Sequence, residues 1–428
     1  MKKNSRITLV VFLFVSSVTT ALAQDTPIES ATRPRTVMVP QAQNPVKTPQ
    51  IVAAPTTPEV ETLSPEPPAK TAAAVEENPS ARAAAFLNAT QVRSRISEAE
   101  RMLKSQPRQT ALASPQIQFV TVAALERSTG RIHMIYLSKE FFLKRDSEVT
   151  LPSSLGTLVS VRVLRANGVN TAVTIFDSAG QSFVPLVVEF PIEKRGVFKE
   201  MAYYSSAHPA LLSRDLTNTG RAYVRSMLDL AAKRLRDKGV LVSPQLIDIA
   251  ERLCLVEHVD HLRFKNENRA ALYDEIFSLY ALNELDTYRY AVSSAGAGGM
   301  VQMIPWAYNL VRQRHPGVGL TPDFVVGMRT HSNALQAMLL YMHDTWNDLA
   351  ANSEVQYAMS TKLATQEELM AAGYNSNAAK LPGYLRRGGS NWRSLIPRET
   401  QMYLQIYKSV DSLVPMKKRT AAELQAAN

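Results

Sequence analysis

The chain has 428 residues, a formal net charge of +10 and one cysteine. The length leaves room for two domains with real cores, and a lone cysteine excludes an intramolecular disulfide framework, so stability must come from apolar burial. The basic balance suits an acidic polymer, but no zinc-finger spacing, glycine-rich phosphate loop or RNA-binding aromatic pattern is present, and nucleic acid is not expected as a partner.

The N-terminus reads as an export signal. Lys2, Lys3 and Arg6 precede an apolar core from Ile7 to Val18, and Ala21-Leu22-Ala23 forms a small-x-small cleavage site. Residues 1–23 are therefore expected to be removed. The apolar run is too short to favour a spanning helix, so no stable transmembrane segment is expected after cleavage. Residues 24–80 carry recurrent prolines among Thr, Ala, Val and Glu without aromatic residues. Such a stretch cannot bury enough apolar surface to offset its ordering entropy and reads as an extended linker.

Residues 81–205 are expected to hold a lead-in helix, ending near Lys104, and an antiparallel β-rich domain of about five or six strands. Residues 117–123 and 131–137 are β-rich, and 158–164 alternates as a half-buried strand should. Asn167-Gly168 signals a turn before the strand at 171–176, and Ser178-Ala179-Gly180 another before 182–190. This domain could bind glycan or an envelope protein partner, or merely support the body. From about 206 to 415 the pattern turns helical. Thr217 to Lys238 is amphipathic; Ser243-Pro244 is an N-cap with proline in the first turn. Asn268 caps a helix with Leu272, Ile276 and Leu279 on one face, and Asn333 to Trp346 forms another. Residues 416–428 read as a polar tail.

Cys254 sits in an apolar helical context and reads as a buried, inert thiol. In Glu257-His258-Val259-Asp260-His261, the two histidines would share a helix face, but no further ligand follows at a metal spacing. We read a polar helix end and expect no metal and no cofactor.

The most informative stretch is Glu284-Leu-Asp-Thr-Tyr-Arg-Tyr-Ala291-Val-Ser293-Ser-Ala-Gly296-Ala-Gly-Gly299-Met300-Val-Gln302-Met303-Ile-Pro305. A carboxylate closes an apolar helix, a small-residue turn follows, then a glutamine-bearing segment that reads as helical. A carboxyl at a helix C-terminus beside apolar residues is disposed to keep its proton, as a general acid must. Downstream lie Ala371-Ala-Gly-Tyr374-Asn375 and Ile396-Pro397-Arg-Glu399-Thr400-Gln-Met-Tyr403.

The spacing from Glu284 to Gly299 and Gln302 resembles the signature of soluble lytic transglycosylases and goose-type lysozymes. The two downstream blocks resemble that family's A-A-Y-N-A-G and I-P-x-E-T-x-x-Y-V stretches. The resemblance covers roughly residues 245 to 410. The strand-rich segment and the export signal supply an N-terminal β-rich domain and export to the periplasm; the resemblance implies that an all-α lysozyme-like domain follows, making an α+β chain. It also implies an enzyme that cleaves peptidoglycan glycan strands between MurNAc and GlcNAc, leaving a 1,6-anhydro ring. Glu284 would be the single acid and base, and the Tyr374 hydroxyl would bond it. Gln302 would contact the N-acetylated sugar, with Ser293, Gly299, Met300, Met303 and Asn375 around the cleft. The sequence departs from the family where Leu285 replaces a serine, where Ser376-Asn377 replaces Ala-Gly, and where residues 350–367 form an additional segment. A non-catalytic glycan-binding or scaffold protein, and a hydrolase using Asp286 as base, therefore stay open.

Overall fold

A computed structural model describes residues 88–106 and 119–422. The export signal and the proline-rich linker lie outside the described residues, as does the end of the tail.

The first helix, α1 (Ala89–Ser105), starts from a capping box in which Asn88 and Gln91 satisfy each other's backbone amides. Ala89, Val92, Ile96, Ala99 and Leu103 form its buried stripe. Seven strands follow: β1 (Phe119–Glu126), β2 (Ile132–Ser138), β3 (Glu148–Pro152), β4 (Leu158–Arg165), β5 (Ala172–Asp177), β6 (Ser182–Lys194) and β7 (Val197–Tyr204), with the one-turn helix α2 (Lys139–Phe142) after β2. They build one antiparallel sheet in the order β2-β1-β6-β5-β4-β3, with β7 added to the far half of β6. Sequence reading missed β3 and β7: β3 offers only Val149 and Leu151 between exposed residues, and in β7 the charged pair Lys199-Glu200 interrupts the run before its two buried residues, Ala202 and Tyr204. β4 does alternate: Val159, Val161 and Val163 are buried while Leu158 is exposed.

The helices are α3 (Arg214–Arg236), α4 (Pro244–Val256), α5 (His261–Asn266), α6 (Arg269–Leu282), α7 (Pro305–Arg314), α8 (Phe324–Arg329), α9 (His331–Ala350), α10 (Ser353–Ser360), α11 (Gln366–Asn375), α12 (Leu381–Gly388), α13 (Trp392–Leu395) and α14 (Arg398–Leu413). Ser243 caps α4 and Asn268 caps α6, as their side-chain chemistry predicts. Helix α4 is the axle of this half: every residue from Leu246 to Val256 is buried, and α3, α9, α11 and α14 pack around it.

The expected β-rich domain followed by a separate all-α lysozyme-like domain is corrected on two grounds. First, the described residues fall in one compact unit, because the sheet has two buried faces. One carries Val120, Val122 and Ala124 with Val159 and Val161. The other carries Ala123, Leu125 and Leu186 under α1, together with Leu216 of α3 and Ala281 and Leu282 of α6. Leu279 of α6 reaches into the first of these cores as well. A helix that fills both faces of a sheet cannot belong to a different domain from that sheet. Second, the helical half is not all-α: Val292, Gly298 and Met303 are joined by β-bridges.

The tail is also more than a polar extension. Arg419 is buried, its guanidinium bonding Asp229 at 2.6 Å, Asp248 at 2.9 Å and Glu251. It ties α3 to α4 from behind. Among the described residues no helix is long and apolar enough to cross a membrane.

Candidate active site

The buried helix α4 ends at Val256, and the next residue is Glu257. It is 7 % exposed and lines a cavity of about 550 Å³ with His258, Ser293 and Gln302. The hydroxyl of Tyr403, on α14, donates to its Oε1 at 2.5 Å. His258 lies flat against Tyr288, ring centroids 3.4 Å apart and planes 7° from parallel. Its Nε2 is 2.8 Å from the Met300 carbonyl oxygen. Glu257 thus stands at the end of a buried helix, itself nearly buried, with a phenol on one oxygen.

A second carboxylate in the same cavity, Glu275, is of a different kind. Burial acts to raise its carboxyl, but hydrogen bonds from Arg263 and the charge of Arg165 outweigh it and hold the group below the usual carboxylate range. Arg165 bonds it at 2.6 Å and Arg263 at 2.9 Å. Glu275 is a clamped anion and cannot serve as a proton donor.

Glu284 lies elsewhere. It falls two residues past the end of α6, is 42 % exposed at its side chain, and pairs with Arg93 of α1. It does not line the cavity that holds Ser293 and Gln302. The reason is local: Asn283, Leu285 and Tyr288 break the helix, the last two with positive φ, and the loop turns the carboxylate outward. Leu285 donates its backbone amide to the Tyr223 hydroxyl at 2.8 Å while its side chain is exposed.

The rest of the predicted constellation divides. Ser293 and Gln302 line the cavity with Glu257. Ser293 accepts the Ala297 amide at 3.0 Å. Gln302 is not helical: it has φ 45°, two residues before the cap of α7, and its amide nitrogen donates to the Gly299 carbonyl at 2.8 Å. Gly299 serves packing, since a Cβ there would come closer than 3.0 Å to the Met328 carbonyl oxygen of α8. Met300 and Met303 are buried in the helical core. Tyr374 donates to the Val301 carbonyl at 2.6 Å, so its hydroxyl holds the motif loop. Asn375 is buried and accepts from Thr400 at 2.9 Å; it joins α11 to α14. Gln302 and Tyr374 also line a second cavity of about 640 Å³, at whose rim Trp306 is 65 % exposed.

His258 and His261 do not share a helix face, because α4 ends before the first and α5 begins at the second. Among the described residues no group of three or more His, Cys, Asp or Glu side chains is placed to hold a metal ion. Cys254 is buried within α4, and burial pushes its thiol up.

Glu257 was the residue that sequence reading passed over. The signal was present: the helix of residues 246–256, closed by the apolar run Leu253-Cys254-Leu255-Val256, ends on it, the same logic that singled out Glu284. Its distance from Gln302 hid it, because α5 and α6 are inserted between them. No family model, no curated protein and no solved structure matches the chain. The site therefore stands on its geometry.

Proposed function

We propose that the protein is an exported, peptidoglycan-cleaving lytic transglycosylase whose single acid and base is Glu257. The observation that carries this is the meeting of Glu257 with Ser293 and Gln302 of the signature segment in one cavity. A general acid needs a carboxyl shielded from water and within reach of a reacting oxygen. Glu257 has that setting, and Glu284, exposed and paired with a guanidinium, does not.

The reaction needs one carboxyl only. Glu257 gives its proton to the glycosidic oxygen as the bond from C1 of the muramyl sugar to that oxygen breaks. The substrate's own N-acetyl group supports the cationic carbon. The carboxylate left behind then takes the proton of the C6 hydroxyl as O6 closes onto C1. Proton count is restored, no water is consumed, and a 1,6-anhydro ring results. Ordinary glycosidases place a second free carboxylate across the bond; of the three other carboxylates that line the cavity, Glu275 is locked to two arginines, Glu267 pairs with Arg263, and Asp260 caps α5 by accepting the Leu262 and Arg263 amides. Gln302 sits where two cavities meet, a position from which it can hold a sugar on each side of the cut. Trp306, exposed at the rim of the second cavity, offers a ring face for a sugar to pack against.

The test is product analysis of purified sacculi digested with the protein. Anhydro-muramyl ends support the proposal. Reducing muramyl ends would mean a hydrolase, and intact strands with tight binding would mean a non-catalytic glycan binder.

A further inference from the structure

A third cavity, of about 890 Å³, lies between the sheet and the signature loop. It shares Val169 and residues 290–292 with the cavity of Glu257, so the two are neighbours across one wall. Its apolar floor includes Phe190, Ile192, Phe324 and Met328. Its charged lining is six basic side chains against two acidic ones. Lys139 pairs with Glu193, and Arg289 and Arg329 pair with Glu200. Lys194, Arg195 and Lys199, at the β6–β7 turn, are exposed and have no ion-pair partner among the described residues. An apolar floor under three uncommitted cations fits a ligand with small apolar groups and free carboxylates.

We propose that this cavity is a subsite for the acidic stem peptide of the peptidoglycan strand, built by the β6–β7 hairpin of the sheet. The inference rests on the functional reading above. A glycan seated at Glu257 carries peptides on its lactyl groups, and those peptides bear α-carboxylates and methyl side chains. The wall of Val169 and residues 290–292 is where a branch leaving the sugar would pass from one cavity to the next. The sheet then reads the peptide while the helices hold the sugar.

The experiment uses the full chain and the triple variant Lys194→Glu/Arg195→Glu/Lys199→Glu, whose positions touch neither core nor Glu257. Three probes are compared by co-sedimentation or titration: intact sacculi, sacculi stripped of peptides by an amidase, and the free stem tetrapeptide. Wild type is expected to bind intact sacculi about ten-fold more tightly than stripped glycan, and the variant to bind both at the stripped-glycan level. Free tetrapeptide should compete for wild type but not for the variant. Equal binding of intact and stripped glycan by wild type overturns the subsite while leaving the glycan site standing. Equal loss on both glycans in the variant also overturns it, since it would show general electrostatic attraction. Failure of wild type to bind or cleave either glycan overturns the functional reading itself, and the subsite with it.

Discussion

The three glycines of the signature loop make a graded prediction. Gly298→Ala adds a methyl 3.6 Å from the Met328 Cβ, ordinary contact, at a residue without positive φ. Loss of backbone freedom in the unfolded chain offsets any crowding, so stability should stay within about 0.5 kcal/mol of wild type. Gly296→Ala has space, its nearest neighbour being Pro305 at 3.9 Å, but φ is +77°. The left-handed backbone then costs about 1–2 kcal/mol. Gly299→Ala meets both penalties: φ is +68° and the new Cβ presses on the Met328 carbonyl, a backbone atom that cannot rotate away. Adding about 1–3 kcal/mol of overpacking to the strain gives about 2–5 kcal/mol. The loop must also shift, and the Gly299 carbonyl that orients the Gln302 amide at 2.8 Å moves with it. Urea unfolding at equilibrium measures the three midpoints. The reasoning is refuted if Gly299→Ala unfolds with wild type and loses only glycan binding, which would mean that the glycine is kept for a ligand and not for α8. It is equally refuted if Gly298→Ala is as damaging as Gly299→Ala.

Other expectations follow from buried charge. Arg419→Met should cost about 3–5 kcal/mol in the same unfolding assay, because Asp248 and Glu251 lose their shared guanidinium in a site closed to water; a change under about 1 kcal/mol would show that the tail is dispensable. His208 is fully buried, its Nε2 lacks a hydrogen-bond partner, and burial pushes its imidazole down to about 3. The unfolded chain binds this proton below the ordinary value of 6.5, whereas the fold refuses it. Its contribution is therefore fully present above that pH and is lost at about 1.4 kcal/mol per unit as pH falls toward the folded value. His208→Asn, which keeps an acceptor for the Val173 amide, should flatten that part of the acid limb, and an unchanged slope would place the titration elsewhere. Tyr403→Phe should slow glycan release at least ten-fold, because a hydrogen bond to a buried carboxylate is worth about 1.5–3 kcal/mol; wild-type release would remove Tyr403 from the site.

Much of the architecture is legible in the residues. The caps Ser243 and Asn268 start their helices because short polar side chains satisfy orphan amides wherever they fall. The alternation of β4 shows because one face is buried and the other is not. What sequence alone could not give is what depends on contacts between distant segments. The union of sheet and helices turns on α6 packing against both sheet faces, and α6 carries apolar residues nearly all round, from Leu272 to Leu282, so no stripe announces which partner each face meets. The buried role of Arg419 depends on three carboxylates 168 to 190 residues away. For the site, spacing pointed to Glu284 because motif distance is counted along the chain, whereas chemistry is decided by which carboxylate the turn after a helix leaves facing the cavity. Ser293 and Gln302 share a cavity with the buried carboxylate of Glu257, from which α5 and α6 separate them along the chain.

The most direct measurement sets Glu257→Gln beside Glu284→Gln, each checked for an unaltered melting transition, and follows release of anhydro-muropeptides from purified sacculi. Removing a positioned acid and base costs about 10²–10⁴-fold. The account predicts that loss for Glu257→Gln and release within about two-fold of wild type for Glu284→Gln, an exposed surface pair being worth at most about 1 kcal/mol. Full release by Glu257→Gln with collapse in Glu284→Gln would contradict it and return the chemistry to the surface loop.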